Sequence, residues 1–169
     1  MAVQEAALNA LHAWVCEPSA AAIRAAVAAV PGCLAALAQV LHSSITVSVK
    51  ARTAGVLSWL AAGSAAAIAA QPGCIEGLVQ LVSSDIAEAH KAAAGALYSL
   101  VGATPASRDT IRPVPGTGWL VPVSRVMAQA LNSNSTVDVK GRAALVLAYL
   151  AADNAAAAAI ATQPECVTG

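Results

Sequence analysis

Phenylalanine is absent from the chain, and aromatic residues of all kinds make up only 3% of its 169 residues. Charged residues are also scarce, at 11%, and nine basic side chains balance nine acidic ones. Binding to nucleic acid or to an anionic membrane surface requires an excess of positive charge. The neutral balance argues against both classes of partner, and we expect no nucleic-acid binding.

The chain also lacks the residue spacings that mark metal, redox and catalytic sites. Its four cysteines contain no CxxC pair, and its three histidines form no HxxxH or HExxH motif. The acidic residues are scattered, and no GxSxG, P-loop or GxGxxG sequence follows a predicted strand. We therefore predict that the protein is not an enzyme and holds neither a cofactor nor a metal ion.

Signals for export or membrane insertion are weak, although the mean hydropathy is +0.67. The N-terminal segment has neither the basic region nor the compact apolar core of a secretory signal. Residues 53–75 are uncharged and long enough to span a bilayer, but Gln71, Pro72 and Gly73 interrupt them. A membrane-embedded bundle is thus the minor alternative. We expect no membrane insertion and a cytoplasmic, reducing, intracellular location.

The strongest positive signal is internal repetition. Three segments share a β-branched residue, a proline four positions later, then a small or polar residue, a cysteine and an aliphatic residue. They are 25–34, 66–75 and 158–167, with a degraded copy at 111–116. Because a thiol packs like a small hydrophobic group, we interpret the recurring Cys33, Cys74 and Cys166 as packing residues.

A second, longer element recurs between these segments. Its apolar residues fall at i, i+3, i+4 and i+7, which is the spacing of a helix. The copies are 49–60, 89–100 and 139–150, with a truncated copy at 3–14. Polar turns precede the three complete copies, and their Ser, Asn and Asp residues are expected to cap the long helices. Each period therefore predicts a short helix, a Pro-Gly break, a middle helix, a polar turn and a long helix.

These patterns predict an all-α protein, because no segment shows the sustained alternation typical of strands. The middle helices are predicted at Cys33–Leu41 and Cys74–Val82, and the insertion at 117–122, which contains Trp119, is predicted to be a surface loop. One period of about 40 residues cannot bury its apolar face alone, so neighbouring periods must stack as a solenoid. We predict a single domain over 1–169, with repeat fragments at approximately 1–18, 19–63, 64–104, 105–153 and 154–169.

The pattern resembles the armadillo repeat family. Residues 73–82 match the Gly-Ala-Ile/Leu start and the Leu-Val…Leu-Leu run of the family's second helix. Residues 96–100 match the Ala-Leu-x-Asn-Leu signature of the third helix apart from the Asn. The resemblance implies a right-handed armadillo-type α-solenoid of about three to four three-helix repeats. Because the chain starts in a third helix and ends after a first helix, we expect it to be incomplete at both ends and part of a longer array or larger complex.

The resemblance also implies a concave groove lined by the third helices. Its expected partner-binding residues are Arg52, Gly55, Trp59, Ser99, Arg142, Leu145 and Tyr149. The Asn that clamps extended peptides in importin-like members is replaced by Trp59, Ser99 and Tyr149, which argues against a nuclear-signal receptor. An alternative interpretation is that the two aromatic side chains only fill gaps between small helices and that the arginines are solvated.

Two functions follow as expectations. The first is a non-enzymatic scaffold that binds a partner segment on the concave face. Arginine pairs bidentately with carboxylates, and arginine and aromatic residues dominate interface hot spots, so the expected partner segment is acidic and apolar. The alternative is a structural subunit or segment of a larger cytoskeletal, ciliary or organellar assembly, held by its end and convex faces.

Overall fold

The computed structural model describes residues 2–17, 19–43, 45–82, 84, 86–102, 120–132 and 136–151. Within these ranges the chain forms eight α-helices and no strand, so the predicted all-α class is confirmed. In chain order the helices are α1 (Ala2–Val15), α2 (Ala21–Ala29), α3 (Cys33–His42), α4 (Val47–Ala69), α5 (Cys74–Val82), α6 (Ala87–Gly102), α7 (Leu120–Asn132) and α8 (Val137–Ala151).

The middle helices α3 and α5 begin directly after the repeated Pro-Gly turns, as the sequence predicts. Gly32 and Gly73 both have φ of +78°, a left-handed conformation that glycine adopts without steric cost. His42, at the end of α3, forms a hydrogen bond through Nε2 with the carbonyl oxygen of Gly73. The last residue of one middle helix therefore contacts the turn that starts the next.

Three local features differ from the predictions. Helix α4 continues to Ala69 through a bend at Ser64 (φ −138°, ψ 20°), so it joins a long helix to the short helix that follows. The predicted serine cap of α4 is wrong: Thr46 stands at the N-cap without a side-chain hydrogen bond, and Ser43 instead donates to the Val40 carbonyl at the end of α3. Residues 120–122 were predicted as loop but begin α7, where the first turn tolerates a proline.

The four long helices lie side by side in chain order. Helix α1 contacts α4, α4 contacts α6, and α6 contacts α8. The shorter helices flank this row: α2 and α3 contact α4, α5 contacts α6, and α7 contacts α8. One cluster of buried aliphatic and alanine side chains extends through all of these contacts, from Leu8 to Leu150. The shared core explains why the repeated elements can be short and rich in alanine.

Neighbouring long helices pack in one recurring register. The four copies of the long helix start at Val3, Val49, Ala89 and Val139. We call residues equivalent when they stand the same number of positions after these starts. Asn9 contacts Arg52, and the equivalent of Asn9 in α6, Gly95, contacts Arg142, which is the equivalent of Arg52.

A second pair of contacts repeats in the same way. His12 lies against Gly55, and its equivalent in α4, Ser58, lies against Gly95, the equivalent of Gly55. Together the two sets of contacts cover all three junctions between the long helices. Asn9 and His12 of α1 meet Arg52 and Gly55 of α4 in the same order along the chain, so these two helices run parallel.

Candidate binding cleft

A cleft of about 350 Å³ opens where α1, α4 and α6 lie next to one another. Its lining comes from one side of each of these helices: Asn9, His12, Ala51, Arg52, Gly55, Glu88 and Ala92. Two of the predicted groove residues, Arg52 and Gly55, are thus brought together. Of the other predicted residues whose side chains the structure describes, none lines this cleft.

Small side chains create the space. Gly55 and Ala92 leave room between the helices, and Ala51 forms part of the wall. The imidazole of His12 lies so close to Gly55 that a Cβ atom added there would be 3.1 Å from Nε2. This separation is tighter than ordinary van der Waals contact, so the close approach of α1 to α4 depends on glycine.

Arg52 is the principal polar group of the cleft. Its Nη1 donates a hydrogen bond to Oδ1 of Asn9 across the junction between α1 and α4. Glu88 lines the same cleft from the first turn of α6. Neither Arg52 nor Glu88 forms an ion pair with another residue in the described ranges. The cleft therefore offers a held guanidinium and a separate carboxylate to a ligand.

His12 connects the cleft to a thiol. Its Nε2 lies 3.4 Å from Sγ of Cys16, one turn further along α1. Burial raises the pKa of the Cys16 thiol, and the nearby positive charge of Arg24 opposes this shift in part. A raised pKa keeps the sulfur protonated, and a protonated thiol is a poor nucleophile. The pair therefore lacks the lowered thiol pKa of an activated Cys-His site.

Trp59 and Ser99 have their own partners within the chain. Trp59 is 41% exposed, and the guanidinium of Arg24 on α2 lies 5.5 Å from its ring centroid. The hydroxyl oxygens of Ser99 and Ser58 are 2.9 Å apart, which links α4 to α6. Both predicted groove residues therefore also serve contacts between helices. Trp59 keeps a large apolar surface available to a partner.

Arg142 is held by its surroundings. Its guanidinium lies over Gly95, where an added Cβ atom would collide with it. Asp138 lies between two cations, with its carboxylate 3.1 Å from Nζ of Lys91 and 3.3 Å from Nε of Arg142. Hydrogen bonds from Lys91 and Arg142 lower the pKa of the Asp138 carboxyl group. The charge of Arg142 is thus already paired, unlike that of Arg52.

The last two predicted groove residues belong to α8. The side chain of Leu145 is 46% exposed. The backbone of Tyr149 is helical, and its side chain lies outside the described part of the structure.

The remaining cysteines have packing environments. Cys74 is fully buried, and burial raises the pKa of its thiol to about 12. Cys33 is half-buried, and burial raises the pKa of its thiol as well. Cys166 and Trp119 lie outside the described residues. Among the residues that the structure describes, no group of three or more His, Cys, Asp or Glu side chains could hold a metal ion.

No single helix of the described ranges is both long and apolar enough to cross a bilayer. Helices α2 and α3 meet the limits of length and composition only as a pair, and they bend by 83° at their junction.

Apart from Arg52, the polar side chains that line the cleft were not predicted from the sequence: Asn9, His12 and Glu88. The repeat alignment contains a signal for two of them, because Asn9 is equivalent to Gly55 and His12 is equivalent to Ser58. Glu88 lies one turn before Ala92 on α6. It lines the cleft because α6 packs beside α4.

Comparison with family models, with curated proteins and with solved structures finds no match to this chain.

Proposed function

We propose that the protein is a non-enzymatic scaffold that binds a segment of a partner protein across its row of long helices. The observation that carries this proposal is the cleft between α1, α4 and α6, with Arg52 held by Asn9 at its centre. Preorganised arginines are frequent hot spots in protein interfaces, because little side-chain entropy is lost when they bind.

The recurring register supports the finer architecture that we propose, an armadillo-type solenoid. Each long helix contacts the next through equivalent residues, which is the arrangement expected of stacked repeats. The middle helices that follow each Pro-Gly turn, and the short helix α2, supply the other two helices of a three-helix period. A row of parallel long helices then forms one continuous surface for an extended partner.

The chemistry of the cleft indicates the kind of partner. The Arg52 guanidinium fits a carboxylate, and hydrogen bonds between charged groups are about twice as strong as neutral ones. The exposed part of Trp59, which lies on the same helix, offers contact to an apolar side chain. Glu88 adds an acceptor for a backbone N–H or an ammonium group. We therefore propose an extended segment with acidic and apolar residues as the partner.

A reducing intracellular compartment is part of the proposal. The three described cysteines, Cys16, Cys33 and Cys74, are free thiols, and disulfides are rare in such compartments.

Capture from a native extract tests the proposal. Immobilised wild-type chain and the Arg52→Glu variant are incubated with extract, and bound proteins are quantified by mass spectrometry. Reversing the charge of an arginine that is an interface hot spot costs about 2–4 kcal/mol of binding free energy. We expect at least one wild-type partner to be depleted about 30-fold or more with the variant, since 1.4 kcal/mol corresponds to about tenfold.

The matched control is Arg125→Glu, which makes the same change on the exposed side of α7, away from the cleft. This variant is expected to retain every partner of the wild type. If Arg52→Glu and Arg125→Glu capture the same proteins as the wild type in the same amounts, the cleft is not the binding surface.

A further inference from the structure

A cluster of four residues joins α6 to α8. The carboxylate of Asp138 lies between Lys91 and Arg142, at 3.1 Å from Nζ of the lysine and 3.3 Å from Nε of the arginine. The guanidinium of Arg142 also lies over Gly95. We call these four residues the paired cluster, because one carboxylate is shared by two cations on the surface of a glycine.

The cleft contains an altered copy of the paired cluster, one junction earlier along the row of long helices. Glu88 and Asp138 both stand one position before the starts of their copies, so we treat them as equivalent too. All four equivalents line the cleft: Ala51 for Lys91, Gly55 for Gly95, Glu88 for Asp138 and Ala92 for Arg142. The acidic residue and the glycine are thus retained, and an alanine replaces each of the two cations.

The replacement of arginine by Ala92 leaves space above Gly55. A Cβ atom added at Gly95 would collide with the guanidinium of Arg142. A Cβ atom added at Gly55 would meet only the imidazole of His12 on α1, and no atom of α6 lies within 4 Å of it. The volume that an arginine occupies at one junction is therefore open at the other.

The carboxylate beside this space has no cation of its own. Glu88 forms no ion pair with another residue of the described ranges, although Arg52 lines the same cleft. Arg52 instead donates its hydrogen bond to Asn9, on the side of α1. The cleft volume of about 350 Å³ lies within the range of ligand pockets, about 300–1,000 Å³. The side of the cleft next to α6 is therefore suited to a cationic group.

We propose that the cleft receives an arginine side chain of the bound partner segment, with its guanidinium over Gly55 and paired with Glu88. This inference rests on the proposed function, because the arginine belongs to the segment that the scaffold binds. It adds one basic residue to the acidic and apolar residues expected in that segment. A carboxylate of the segment then pairs with Arg52, and each of the two charges in the cleft gains a counterion.

The chain's own use of arginine favours a guanidinium over an ammonium group. Arg52 and Arg142 are equivalent, and each reaches across a junction to the preceding long helix, to Asn9 and to Gly95 respectively. A guanidinium is planar, so it can lie flat on a glycine and donate two parallel N–H bonds to one carboxylate. The compact ammonium of lysine cannot form this arrangement.

Amide chemical shifts of the isotope-labelled chain, titrated with N-acetyl-arginine methylamide, test the proposal. We expect saturable shifts at Gly55, Glu88 and Ala92, in the millimolar range typical of a ligand of this size. The citrulline counterpart has the same shape but no charge, and we expect it to cause no saturable shift. Glu88→Gln is expected to weaken binding of the arginine derivative about tenfold, the effect of losing a charged hydrogen bond.

Ala92→Arg provides the sharper variant, because it restores the side chain present in the paired cluster. The introduced guanidinium stands one turn after Glu88, as Arg142 does after Asp138, and pairs at this spacing stabilise a helix. We expect the variant to lose binding of the arginine derivative and to keep the urea midpoint of the wild type. The matched controls are Ala36→Arg and Glu76→Gln, at exposed positions of α3 and α5, and both should bind like the wild type.

Three results would overturn the proposal: no saturable shift with the arginine derivative, equal binding of the citrulline derivative, or wild-type binding by Ala92→Arg. Capture from extract separates this proposal from the scaffold on which it rests. A partner that is lost with Arg52→Glu but retained by both Ala92→Arg and Glu88→Gln refutes the arginine site alone. Saturable binding of the arginine derivative, with every partner retained by Arg52→Glu, supports the arginine site and refutes the scaffold.

Discussion

Glutamate in place of Ala94 is expected to abolish cooperative folding, whereas glutamate in place of the equivalent Ala144 changes stability by no more than about 0.5 kcal/mol. Ala94 is fully buried in α6, a helix that contacts both α4 and α8, and Ala144 is exposed on α8. A buried carboxylate without a partner costs several kcal/mol, and overpacking adds about 1–3 kcal/mol. That sum is comparable to the 5–15 kcal/mol that stabilises a typical domain.

Urea denaturation followed by circular dichroism measures both variants. The comparison is matched because the residue, the substitution and the repeat position are the same, and within the described ranges only α6 is followed by another long helix. Equal stability of the two variants would mean that α6 does not lie between two long helices in the described register.

Alanine in place of Leu60 is expected to lower the free energy of unfolding by about 2–5 kcal/mol, the range for removing a buried leucine side chain. Leu60 is 1% exposed in α4, the helix that contacts both α1 and α6. Trp14 is its equivalent in α1 and is mostly exposed. We therefore expect Trp14→Ala to cost about 1 kcal/mol or less, although more atoms are removed.

Thermal unfolding provides the measurement for this pair. For a chain of this size, each kcal/mol shifts the midpoint by about 2–4 °C, so Leu60→Ala should melt several degrees below Trp14→Ala. A larger loss for Trp14→Ala than for Leu60→Ala would show that Trp14 is covered by another element of the chain, contrary to its exposure in the structure.

Much of the fold could be predicted because its determinants are local and repeated. The Pro-Gly pairs fix the starts of α3 and α5, and the spacing of apolar residues fixes the long helices. The repetition also indicates which elements neighbour each other. Features that depend on one competing contact were not predictable: Ser43 bonds back to Val40 and so ends α3, while α4 starts after Thr46 without a side-chain cap.

The candidate site was predictable only in part, for the same reason. The alignment identifies Arg52 and Gly55 as residues of one face of α4, and both line the cleft. The spacing of Asp138 and Arg142 permits their i,i+4 pair within α8, whereas the contact of Lys91 with Asp138 joins α6 to α8 and depends on the relative displacement of the two helices. Similar arginines at equivalent positions therefore differ in the charge that they offer to a partner.

The most direct test of the proposed binding surface is an amide chemical-shift titration of the isotope-labelled chain with the segment of the captured partner that binds it. The 16.7 kDa chain is small enough for this measurement. We predict that the largest shifts fall on Asn9, His12, Arg52 and Glu88, which line the cleft between α1, α4 and α6. Largest shifts on the middle helices α3 and α5, with the cleft residues unmoved, would contradict the proposal.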